Sequence, residues 1–182
     1  MPLTFLDRDG VINRFPGKGR YVTRRSGLKI FPQALAAIKK LTQAGHELVV
    51  VSNQGSVSRG LLTRKALDRM TRQMLQRIRR GGGRIRKVYY CVHQTSDDCD
   101  CKKPKTLLLE KALRGRRLER SKLFFIGDSE EDIRAGKDFG CRTILVLSGR
   151  LKKRDVPGLS IKPTVVKKDL EEAAEWLLRR RS

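Results

Sequence analysis

Leu3-Thr4-Phe5-Leu6-Asp7-Arg8-Asp9-Gly10-Val11-Ile12-Asn13 decides how the rest of the chain is read. Four apolar or β-favouring residues run straight into two carboxylates at i and i+2, and Gly10 permits the turn that follows. A short apolar run without alternation is the signature of a strand buried on both faces, as in a parallel sheet. Four more such runs lie downstream, at Leu48–Val51, Lys87–Cys91, Leu123–Ile126 and Thr143–Leu147. Between them sit amphipathic stretches: Gln33–Ala44, Thr63–Arg80, Thr106–Leu113 and Glu130–Phe139, with a last one at Leu170–Arg180 carrying Trp176 on its expected buried face. In the first, Ala34, Leu35, Ile38 and Leu41 recur at helical spacing and Gly45 is placed to end it; Thr63 is a candidate N-cap for the second, and Gly81-Gly82-Gly83 a stop. This alternation predicts an α/β fold with a parallel sheet flanked by helices.

Ligands of parallel α/β sheets bind beyond the carboxyl ends of the strands. Here those ends carry Asp7, Ser52-Asn53-Gln54, Cys91 and Gly127-Asp128, so four strands deliver polar groups to one rim. Asp7, Asp9 and Asp128 form a converging oxygen-only ligand set suited to Mg²⁺, which keeps several waters and completes its shell with phosphate. Ser52 offers a hydroxyl and Lys103 an ammonium for phosphate oxygens. The set amounts to a carboxylate nucleophile, an acid/base, a metal clamp and a cationic phosphate holder.

Composition bounds this reading. The chain has 182 residues, with 42 Lys or Arg against 19 Asp or Glu, a formal net charge of +23. That length suits one domain, 1–182, with no linker evident. No apolar run approaches the ~20 residues of a membrane span, and no signal-peptide pattern precedes the first strand, so a cytoplasmic protein is expected. Nine of the 19 acids sit in three short clusters, around Asp7, Asp98 and Asp128, while the basic residues are spread along the chain. Clustered carboxylates in a basic chain suit cation binding; helix-start and loop acids that aid solubility are the alternative.

Cys91-Val92-His93, five residues, then Cys99-Asp100-Cys101 place three thiolates and an imidazole in a short polar loop. That donor set fits a closed tetrahedral Zn²⁺ site, which supports structure rather than chemistry. Cys141, at the start of a strand, reads as core, and nothing suggests disulfides.

FLDRDGVIN, VVVSNQGSVSRG, CDCKKPK and FFIGDSEEDIRAG, in that order, resemble the four motifs of the haloacid dehalogenase (HAD) superfamily phosphatases. The resemblance covers residues 3 to 150 and is strongest to the zinc-loop branch that holds the heptose-1,7-bisphosphate 7-phosphatases and the histidinol-phosphate phosphatases. It implies a Rossmann-like HAD sheet and a Mg²⁺-dependent phosphomonoesterase working through an aspartyl-phosphate. By the same resemblance Asp7 is the nucleophile and Asp9 the acid/base. Mg²⁺ is held by Asp7, the backbone carbonyl of Asp9, and Asp128. Ser52 and Lys103 stabilise the transferring phosphoryl group, Asn53, Gln54, Arg59 and Lys102 are substrate contacts, and Asp132 orients Lys103 or a metal-bound water, helix-start stabilisation being its other reading. A zinc loop stands in these phosphatases where residues 91–101 stand here.

Several positions depart from the family pattern. Lys102 replaces an arginine and so loses the bidentate fork, and Ser129 stands where heptose phosphatases often carry lysine. The segment from Asn13 to Gln33 is too short for a helical cap domain, so an open site is expected. Its substrate would be gripped by a flap at Gly17–Tyr21 and Thr23–Arg25. Three substrates follow as expectations. The 7-phosphate of heptose 1,7-bisphosphate comes first, histidinol phosphate second, and a polynucleotide 3′ end third, the last drawn by the basic stretches Arg77–Lys87 and Arg114–Lys122 but with little aromatic interleaving for bases. A small phosphorylated partner, no membrane and a monomer complete the expectations.

Overall fold

A computed structural model of the chain describes residues 1–115 and 118–179. Six parallel strands make one sheet: β1 (Leu3–Leu6), β2 (Glu47–Asn53), β3 (Lys87–Cys91), β4 (Leu123–Gly127), β5 (Arg142–Val146) and β6 (Val165–Lys167), in the order β3-β2-β1-β4-β5-β6. This is the doubly wound order, with its switch point between β1 and β4, where a crevice opens at the carboxyl ends. Both faces are covered. Leu48 and Val50 of β2, with Phe124 and Ile126 of β4, point into a core shared with α1 (Pro32–Gln43), α2 (Arg64–Arg80) and α5 (Leu170–Arg179). Their neighbours Val49, Val51, Leu123 and Phe125 point the other way, towards α3 (Leu107–Leu113). On that same side α4 (Glu130–Phe139) seats Ile133 against Leu145 of β5. Burial on both faces is why the strands read as unbroken apolar runs.

The helix ends follow the sequence signals. Thr63 Oγ1 accepts from Ala66 N at 3.1 Å, a cap worth about 1 kcal/mol. Gly45 and Gly82 take left-handed backbone just past α1 and α2, at φ +75° and +82°. Three expectations need correction. β5 closes at Val146, not Leu147, whose N–H turns to bond the carbonyl of Lys167. That pairing belongs to β6, a three-residue edge strand too short to be legible behind Pro163. Trp176 is half-buried, because Leu170, Ala173, Ala174 and Leu177 take the core face of α5, while the Arg142 guanidinium lies 5.3 Å from the indole centre. Arg180, the expected end of that helix, lies outside the described residues, as do 181–182 of the basic C-terminal stretch and Arg116 and Arg117 of the second basic stretch.

Residues 14–31 form a flap rather than a cap. It is zipped at its base by Arg14 N to Lys29 O, 2.8 Å, and Phe31 N to Ile12 O, 3.0 Å, and pinned by buried Val22, Leu28 and Ile30. One short 3-10 turn, Arg25–Gly27, interrupts it. Among the described residues no helix is long and apolar enough to cross a membrane.

Candidate active site

β1 delivers Asp7 to the crevice, and β4 delivers Asp128 beside it. Asp7, Asp128 and Asp132 are all buried, with one carboxylate oxygen from each within 4.8 Å of the others. Lys103 Nζ stands among them, donating to Asp7 Oδ1 at 2.7 Å and to the carbonyl of Val51 at 2.8 Å, and pairing with Asp132 Oδ1 at 2.6 Å. Burial disfavours its charge, yet Asp132 and Asp7 hold the ammonium above the usual lysine range. The same lysine is fixed through its backbone, because Asn53 Oδ1 accepts from Lys103 N at 3.0 Å and Asn53 Nδ2 donates to Lys103 O at 3.1 Å.

One ammonium does not balance three buried carboxylates. Burial first, and then Asp132 and Asp9, push the Asp7 carboxyl up to about 6 against the pull of Lys103. Burial, Asp7 and Asp132 raise Asp128 well above the carboxylate range. This charge deficit and the hard oxygen donors fit a divalent cation such as Mg²⁺. The backbone is shaped for the carboxylate too: Asp128 lies between Gly10 and Gly149, and a Cβ on either would collide with it. Asp128 Oδ2 accepts from Arg150 N at 2.6 Å, which sets its rotamer.

Asp132 makes contacts of both kinds considered for it. Its Oδ1 meets Lys103, while its Oδ2 accepts from Ser129 Oγ at 2.7 Å and from the N–H groups of Ser129 and Asp128 at 3.1 and 3.2 Å, capping α4. Asp9 departs from the cluster. Arg8, only 1% exposed, folds back to hold Asp9 with Nη2 2.9 and 3.0 Å from its two oxygens and Nε at 3.1 Å. Asn13 Nδ2 and Gln54 Nε2 add bonds of 2.7 and 2.8 Å. Burial would raise this carboxyl, but the charge and hydrogen bonds of Arg8, with hydrogen bonds from Asn13 and Gln54, hold it below the usual range. Arg8 and Asn13 were not singled out by sequence reasoning. A charged residue between two rim carboxylates was the available signal.

Gln54 also differs from expectation. It is 2% exposed and its amide serves Asp9 and Ser52 Oγ, so it lies beneath the site floor rather than facing a ligand. Asn53, Ser52, Arg59 and Lys102 do line the cavity, a cleft of about 300 Å³ whose deep end holds Asp7, Asp128 and Lys103. Its more exposed lining is mainly cationic, with Lys18, Arg20, Arg59, Lys102 and Arg150, the last 3.9 Å from Glu131. Arg59 lies 6.0 Å from the Tyr21 ring centre and Arg150 5.3 Å from that of Phe15, so flap aromatics hold two of these guanidiniums.

The Cys/His loop leaves β3 and returns at Lys102. Cys91 and Cys101 Sγ each lie 3.5 Å from Cys99 Sγ, and His93 Nδ1 lies 3.3 Å from Cys101 and 3.8 Å from Cys91. A tetrahedron with a centre about 2.3 Å from sulfur and about 2.0 Å from nitrogen has edges of roughly 3.5–3.8 Å, and these four distances lie within a few tenths of an ångström of them. The four residues fit Zn²⁺. Cys141, by contrast, is a core thiol, pushed up to about 12 by burial.

A HAD-hydrolase-like family model matches residues 100–173. The D-glycero-β-D-manno-heptose-1,7-bisphosphate 7-phosphatase of Pseudomonas aeruginosa is 32% identical, covering 81% of this chain and 82% of its own. The chain belongs to the HAD phosphatase family. The enzyme of the same name from Bordetella bronchiseptica is 32% identical over 98% of both chains. The crystal structure of a B. bronchiseptica D,D-heptose 1,7-bisphosphate phosphatase, complexed with magnesium and phosphate, superposes on this phosphatase with a TM-score of 0.90, at 31% identity and 99% coverage of each chain. That of Burkholderia thailandensis gives 0.74 at 28% identity, covering 98% of this chain and 99% of its own.

Proposed function

We propose that this phosphatase removes the 7-phosphate of D-glycero-β-D-manno-heptose 1,7-bisphosphate. The observation that carries the proposal is a cleft lined both by a buried carboxylate–lysine cluster and by exposed or half-buried cations, Lys18, Arg20, Arg59 and Lys102. A bisphosphate has one dianion for each. Histidinol phosphate would bring an ammonium to the cationic lining, and like charges oppose that fit. The names of the relatives and the magnesium and phosphate held by the B. bronchiseptica structure point the same way.

In this reading an oxygen of Asp7 attacks phosphorus, the bond from phosphorus to the sugar O7 breaks, and Asp9 gives its proton to the departing oxygen. Asp9 must leave the Arg8 fork and take up a proton to do so. A water then attacks phosphorus, Asp9 takes its proton, and phosphate leaves Asp7 restored. Lys103 and Ser52 face the phosphoryl oxygens, and Lys103 holds Asp7 in one orientation before attack. Asp7, Asp128 and the Asp9 carbonyl would hold Mg²⁺, which would supply the neutralisation that lets a carboxylate approach a phosphate dianion. The zinc loop serves as scaffold. Cys101 precedes Lys102-Lys103, so a metal holding that thiolate fixes the segment that aims both lysines.

Competition between substrates tests this. kcat/KM for the heptose bisphosphate should exceed that for histidinol phosphate and for a 3′-phosphorylated oligonucleotide by at least about 100-fold. Parity with either would overturn the assignment.

A further inference from the structure

A second basic feature of the surface stands apart from the catalytic cleft. On the outer face of α2, Arg69, Arg72 and Arg79 recur at helical spacing, and Arg84 and Arg25 close the sides of an open groove beside them. Its floor is half-buried Leu75 and Ile85, and no carboxylate lines it. The one acid of α2, Asp68, is taken by Arg64 at 3.2 Å. Among the described residues Arg69, Arg72, Arg79 and Arg84 make no ion pair, and Arg25 only donates to Gln73, at 3.1 Å. Five like charges held together without a counter-charge cost stability, so an anionic partner has a standing advantage here.

We propose that this groove binds the phosphodiester backbone of a nucleic acid, independently of sequence and of the phosphatase site. Arg69 to Arg79 is ten residues of helix, about 15 Å. Consecutive phosphates of one strand lie roughly 6–7 Å apart, so two or three fall within that length, each within reach of one or two of the five arginines. Every cation in the groove is arginine, whose fork pairs with phosphate through two hydrogen bonds. The groove contains no aromatic ring for a base to stack on, which is why the binding carries no sequence preference.

The test is fluorescence anisotropy of the intact chain with a labelled single-stranded oligonucleotide across a salt series. Arg69→Gln/Arg72→Gln/Arg79→Gln is compared with a control of equal charge loss on the other face of the sheet, Lys111→Gln/Lys137→Gln/Arg154→Gln. The α2 triple should weaken binding at least about 10-fold and flatten the slope of log K against log salt by about 2, at about 0.7 per phosphate contact. The control should shift affinity by less than about 3-fold, and both variants should keep the parent kcat, with the melting temperature of the α2 triple held or raised by the relieved repulsion. Equal weakening by the two triples would overturn the proposal, since net charge alone would then explain binding. So would equal competition by poly-glutamate of the same length.

Discussion

The two metal-fitting clusters flank Lys103 and are built on opposite rules. The Cys/His cluster comes from one loop, residues 91–101, and three of its four members are partly exposed. Its donors already meet at tetrahedral spacing, which leaves no room for substrate. The carboxylate cluster draws on positions 7, 128 and 132, is wholly buried, and stays short of positive charge with Lys103 in place. A closed, local, soft site holds shape, whereas an open, non-local, hard site retains a demand for a cation and then for a phosphate. Lys103 joins them: its backbone follows the zinc loop, and its ammonium sits on Asp7.

The largest effect should come from the open cluster. Asp7→Asn removes the proposed nucleophile, and phosphate release should fall at least about 10³-fold while the melting temperature holds or rises, because a buried charge is relieved. Retention of a tenth of the activity would break the contrast by making the cluster a mere binding site. Next, Cys99→Ser/Cys101→Ser should strip zinc from the purified chain by elemental analysis and lower kcat about 10- to 100-fold. If kcat survives zinc loss, the loop does not position Lys103. Asp132→Asn sharpens the picture further, since it keeps the α4 cap but weakens the hold on Lys103. A kcat loss of about 10-fold with KM nearly unchanged is expected from steady-state kinetics, whereas a KM-only effect would make it a substrate contact. The smallest change should be Arg59→Gln, raising KM about 5- to 10-fold for the bisphosphate and leaving simple monoesters alone.

The strands and helices were legible because both-face burial and amphipathic spacing leave direct marks: Lys87–Cys91 and Glu130–Phe139 match to the residue. β6 left none, being three residues paired on one edge only. In the site, the rim residues were readable because strand ends declare themselves. What lies beneath them was not. Arg8 and Asn13 hold Asp9, and Gln54 turns down to join them, through side-chain directions that a linear pattern does not carry. The cradle of Gly10 and Gly149 around Asp128 unites residues more than a hundred positions apart, and only the folded sheet brings them together.

The central claim is that a phosphoryl group passes through Asp7. The Mg²⁺-loaded chain should be mixed with heptose 1,7-bisphosphate carrying a labelled 7-phosphate, quenched in acid within one turnover, and mapped by peptide. Label should appear on the peptide that contains Asp7, and none in Asp7→Asn. Phosphate released at full rate with that peptide unlabelled would contradict it.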